Sequence, residues 1–172
     1  MTSTWEGMCS ENTFYDYILP RRNLEVDRAI IHPKYDNGTA VFDIALLKLK
    51  DNLDLAEYTP ACLPATNQIF AGETAWFYGW GRFENSNLKI SHVLRQATQQ
   101  VIASDICERF WKKEIPPDQL CALAQDQIPC DGDSGGPLTV EVDGRHILIG
   151  AASYVGTDVN VHVNGCATVD IQ

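Results

Sequence analysis

Cys130-Asp131-Gly132-Asp133-Ser134-Gly135-Gly136-Pro137-Leu138 is the stretch of this chain best equipped for chemistry. It sets a serine between glycines, beside a carboxylate and four residues after a cysteine. A serine hydroxyl attacks a carbonyl only when a base removes its proton and donors stabilise the resulting oxyanion. The backbone N–H groups of Gly132 and Ser134 could converge on one point, and glycine lets a substrate carbonyl come close. Such a loop needs a histidine as its base, and the chain lacks one placed for that role.

The elements that must position this loop read as strands. Arg28-Ala29-Ile30-Ile31, Ile44 to Leu49, Glu73 to Tyr78 and Leu138 to Val142 are short apolar or alternating stretches between turn signals. Asp143-Gly144 reads as a tight hairpin turn into Arg145–Ser153. One helix is expected over Ala103–Lys113, capped by Ser104-Asp105, with Ile106, Phe110 and Trp111 on one face. Pro116-Pro117 closes it, and Thr59 to Asn67 reads as a linker between two apolar regions. An all-β barrel or sandwich follows.

The 172 residues carry 45% hydrophobic residues and a net charge of −10, with no cluster of Lys or Arg. A nucleic-acid partner is disfavoured, because phosphates require a basic face. No apolar run approaches the ~20 residues of a membrane helix, and the first residues are not a signal peptide. Six cysteines nevertheless suggest an oxidising compartment. Asn37-Gly38-Thr39 is a glycosylation acceptor there.

Taken with its neighbours, the serine loop resembles that of the chymotrypsin/trypsin family of serine proteases. Asp43-Ile44-Ala45-Leu46-Leu47-Lys48-Leu49, preceded by His32-Pro33-Lys34-Tyr35, is similar to the segment carrying the triad aspartate. Cys62-Leu63-Pro64 resembles the inter-barrel linker, and Gly79-Trp80-Gly81 the start of the second barrel. Leu94-Arg95-Gln96-Ala97 and the Cys107 to Cys121 loop follow in family order. The likeness covers about Asn23 to Tyr154.

The resemblance implies a chymotrypsin-like double antiparallel β-barrel. Residues 1–64 would form a partial first barrel and residues 65–172 the second, together one peptidase domain. It implies Ser134 as nucleophile, Asp43 as the histidine's orienter, and Gly132 and Ser134 as oxyanion donors. Asp133 would pair with an amino terminus freed by activation, and Ser153 would bond Asp43. Ser153, Tyr154 and Val155 would line the substrate strand. Ile128 occupies the pocket floor and Val155 its wall, so a small apolar side chain is expected rather than Lys or Arg. The implied disulfides are Cys107–Cys121 and Cys130–Cys166, leaving Cys9 and Cys62 over.

The chain also departs from the family. His32, His92, His146 and His162 all lie outside the Ala-Ala-His-Cys context of the catalytic histidine. Ala75 and Val140 stand where many relatives have a disulfide, and Ala167–Gln172 replaces the last strand and terminal helix. The expectation is a fragment of a secreted, extracellular serine endopeptidase, inactive as written. Its partners would be polypeptide substrates and protein protease inhibitors, with no nucleic acid, membrane, cofactor or metal. A non-catalytic homologue acting as a binding or regulatory module is the alternative. The Gly-x-Ser-x-Gly elbow of α/β-hydrolases also fits the loop, but Pro137 and the alternating stretch after it argue against the helix that elbow requires.

Overall fold

The computed structural model describes residues 23–65, 68–82, 90–123, 129–156 and 169–171. Its first unit is a two-stranded antiparallel ribbon of β1 (Val26–Ile31) and β2 (Ala45–Leu49), with Ile31 opposite Ala45. Ile31, Leu46 and Leu47 are exposed on it. A ribbon of two strands is marginal by itself in water.

The second unit is a closed barrel. It comprises β3 (Thr74–Gly79), β4 (Arg95–Ile102), β5 (Leu120–Leu123), β6 (Pro137–Val142), β7 (Arg145–Val155) and β8 (Val169–Ile171). The strands run in the order β3-β4-β5-β8-β7-β6, all neighbours antiparallel. Ala75, Phe77, Val101, Ala122, Leu138, Val140 and Ile149 form its core. In β3 the buried positions alternate, as period-two patterning requires. Ala75 faces Val140 directly, so two buried apolar side chains meet across the β3–β6 pair.

Two expectations are corrected. The last strand is not missing: Val169–Ile171 pairs with both β5 and β7 and completes the barrel. Two β-branched residues around Asp170 suit a strand, and without it the facing edges of β5 and β7 would lack partners.

The helix α1 spans Ser104–Trp111, and its cap is Ala103, with no side-chain capping bond from Ser104 or Asp105. The Ala103 carbonyl accepts from the N–H groups of Ile106 and Cys107 instead. The inward residue is Cys107, bonded to Cys121, while Ile106 is 45% exposed. The disulfide sets the helix's rotation, and Ile115, Ile102 and Trp111 pack around it. Lys112 ends the helix in the left-handed region at φ 53°.

Asp143 and Gly144 both adopt positive φ, as a two-residue hairpin turn between β6 and β7 requires. The expected linker is fastened to the barrel: the Cys62 N–H donates to the His146 carbonyl, and the Leu148 N–H to the Cys62 carbonyl. Among the described residues no helix is long and apolar enough to cross a membrane.

Candidate active site

The Ser134 loop is a run of tight turns locked onto β7. The Asp133 N–H donates to the Cys130 carbonyl and the Gly136 N–H to the Asp133 carbonyl, both at 2.9 Å. The Gly135 N–H reaches the Ala152 carbonyl at 2.8 Å, and the Ala152 N–H returns to Gly136 at 3.0 Å. Gly132 (φ 93°) and Gly135 (φ 78°) occupy backbone regions that other residues rarely adopt. Among the described residues no backbone carbonyl engages the Gly132 or Ser134 N–H, although the amides of Asp133, Gly135 and Gly136 are all committed. Ser134 itself is exposed.

Asp133 points the other way, into the barrel. Its carboxylate accepts the Gly81 N–H at 2.7 Å and the Cys130 N–H at 3.0 Å. A Cβ at Gly79 or Gly81 would overlap that carboxylate, so the two glycines leave the slot it fills. One residue before Gly79, burial pushes the Tyr78 phenol up; a hydrogen bond with Thr139 opposes this, and the Glu141 charge adds to it.

Asp43 lies between the two strands of the ribbon. Ala40 and Phe42 just before it both have φ of 54°, an unfavourable region for side-chain-bearing residues. The loop ahead of β5 holds this backbone in place. Asp118 Oδ2 accepts the Phe42 N–H at 2.8 Å, and Gln119 Nε2 donates to the Ala40 carbonyl at 2.8 Å. The His32 ring stacks on Phe42 at 4.5 Å between centroids. Ser153 Oγ donates to Asp43 Oδ2 at 2.7 Å.

Tyr154 extends this network. Its hydroxyl donates to Gln119 Oε1 at 3.1 Å and accepts from Lys113 Nζ at 2.7 Å. The Trp111 ring meets Tyr154 edge-on at 5.3 Å, and Lys113 Nζ lies 4.5 Å from the Tyr154 centroid. Gly156 has no room for a Cβ beside the Trp111 indole. The β6 pairing of β7 ends at Ala151, while β8 pairs with β7 as far as Val155.

Asp43 and Ser153 are therefore in contact, and Ser153 adjoins the Ala152 that anchors the Ser134 loop. Cys107–Cys121 is formed, and Cys62 and Cys130 are also disulfide-bonded. Asn37 sits in an exposed turn. Ile128, Cys166, Cys9 and His162 lie outside the described residues.

His32 and His146 do other work. His32 Nδ1 accepts from the Lys34 N–H, and His146 Nδ1 pairs with Thr139 Oγ1 at 3.0 Å. Among the described residues no histidine hydrogen-bonds Asp43 or Ser134. Asp118 and Gln119 escaped sequence reasoning, since their partners lie 76 and 79 residues away and no local pattern announces them.

A closed antiparallel barrel presenting a glycine-flanked serine, joined through β7 to an aspartate in the connection of a two-stranded ribbon, has the architecture of a serine protease. The family model for trypsin matches residues 8–169. The serine proteinase stubble of Drosophila melanogaster is 36% identical over 145 residues, covering 79% of this chain and 18% of that protein. The chain belongs to the trypsin family of serine proteases. It spans less than a fifth of the length of that relative.

Proposed function

We propose that Ser134 and Asp43 serve a serine endopeptidase, with a histidine other than the four in this chain as the general base. The observation that carries this reading is that, among the described residues, the Gly132 and Ser134 N–H groups are uncommitted while those of Asp133, Gly135 and Gly136 are bonded. A tetrahedral oxyanion would find two fixed donors there. Ser134 Oγ would attack the scissile carbonyl while the base takes its proton. Asp43, steadied by Ser153, would orient that base and stabilise its charged form.

Beyond its pairing with β6, β7 would offer Ser153, Tyr154 and Val155 to an extended peptide adding as a strand. Ile128 and Val155 would give a shallow apolar pocket that accepts small side chains rather than Lys or Arg. Asp133 would receive the amino terminus released by activation cleavage, sharing its carboxylate with the Gly81 and Cys130 amides. The disulfides favour an extracellular site of action. Polypeptide substrates and protein protease inhibitors are the partners this reading requires.

A binding or regulatory module without catalysis is the second reading. It is favoured by the lack of a histidine contact at Asp43 or Ser134 among the described residues. Fluorophosphonate labelling and peptide-ester hydrolysis, each with a Ser134→Ala control, separate the two. The 172-residue chain should be inactive, retaining at most the ~10³–10⁴-fold rate over water that survives loss of a triad member. The product of the complete coding sequence should label at Ser134 and turn over ester. If that product is inert, the binding reading replaces the catalytic one. Robust turnover by the 172-residue chain would overturn the need for a histidine beyond it.

A further inference from the structure

The turn between β1 and β2 bears on the substrate edge. Asp36 pairs with Val41 as an isolated bridge, and its carbonyl accepts the Thr39 and Ala40 N–H groups. Its carboxylate accepts the Gly38 N–H at 3.0 Å and the Thr39 hydroxyl at 2.7 Å. These bonds hold the Asp36 carboxyl below its usual range, so the turn is fully braced at neutral pH. Asn37 stands at the tip. Tyr35 donates to its Oδ1 at 3.2 Å, its Nδ2 donates to nothing among the described residues, and the residue is exposed.

Ala40, three residues on, lies within ~11 Å of Asn37 along the chain. The Ala40 carbonyl is joined through the Gln119 side chain to the Tyr154 hydroxyl. The tip is therefore a short step from the edge where a substrate strand would lie. Its compartment is also the right one, since the described cysteines are all in disulfides.

We propose that Asn37 carries an N-linked glycan that screens the substrate edge, admitting extended peptides and hindering folded proteins. The donor is a polyprenyl-diphosphate-linked oligosaccharide. A bond forms between Asn37 Nδ2 and the sugar C1, the C1–O bond to the diphosphate breaks, and the polyprenyl diphosphate leaves with the Nδ2 proton. The glycan is bulky and hydrated, and it is anchored on a braced turn rather than a loose one. The screening claim rests on the proteolytic reading; occupancy of Asn37 does not.

Secretion of the complete gene product from eukaryotic cells tests both halves. Peptide mass spectrometry before and after peptide N-glycosidase should find sugar on residue 37 in the wild type and in Thr39→Ser. It should find none in Asn37→Gln or Thr39→Ala. Removing the glycan from the folded wild type should leave peptide-ester kcat/KM within about twofold. It should speed cleavage of a folded protein by at least about fivefold, a change in encounter rate. An unmodified residue 37 in secreted protein overturns the proposal. A glycan whose removal leaves folded-protein cleavage unchanged overturns the screening. If no ester is hydrolysed, the proteolytic reading fails and screening falls with it, while mass alone still decides occupancy.

Discussion

Ser153 donates a 2.7 Å hydrogen bond to Asp43 across 110 residues of chain, joining the two-stranded ribbon to the barrel. A bond to a carboxylate in this half-buried setting is worth about 1–2 kcal/mol. Ser153→Ala should lower the unfolding free energy by that amount in urea titration. In the complete protease it should cut kcat/KM by about tenfold, far less than the ~10⁴-fold cost of Asp43→Asn. Equal losses in the two variants would deny Ser153 a secondary role.

Asp133 and the glycine slot form a second testable unit. Asp133→Ala leaves the Gly81 and Cys130 amides without their acceptor and should destabilise by about 2–4 kcal/mol. Gly81→Ala forces the carboxylate out of its slot, at a cost of about 1–3 kcal/mol. Combining them should cost less than the sum, because the alanine methyl then enters space the carboxylate has left. Strict additivity in a double-mutant cycle would show that the two residues do not share the slot.

At the end of α1, Lys112 adopts φ 53° where glycine is free of strain. Its side chain is exposed. Lys112→Gly should stabilise the fold by up to about 1 kcal/mol, seen as a rise in Tm.

The Tyr78 phenol is raised from about 10 by burial. The folded state therefore holds this proton more tightly than the unfolded chain does. The stability so gained is complete below the unfolded pKa and is lost as pH rises through the folded one. Denaturation midpoints should fall above pH 10, and Tyr78→Phe should flatten that alkaline limb. An unchanged limb in the variant would assign it to other groups.

Much of this arrangement is legible in the chain because it is local. The Ser134 loop announces itself through its glycines, and Asp143-Gly144 marks the β6–β7 hairpin by turn chemistry alone. Neither β8 nor the helix cap could be read in that way. Three residues cannot display a period of two, and Val169–Ile171 becomes a strand because two strand edges await it. Ser104-Asp105 has good capping chemistry, but the disulfide at Cys107 and the end of β4 set the start of the helix one residue earlier. The grip of Asp118 and Gln119 on the Asp43 backbone is purely tertiary.

That grip has a further consequence. Phe42, Ala40 and Asp43 are fastened to the barrel side by hydrogen bonds, whereas the barrel is held by its apolar core. Local opening draws first on regions with few buried contacts. The ribbon can therefore let go of the barrel while the barrel stays intact, and the aspartate would then lose its aim. On the proteolytic reading, mild heat or denaturant should silence the complete gene product before it melts, and cooling should bring it back.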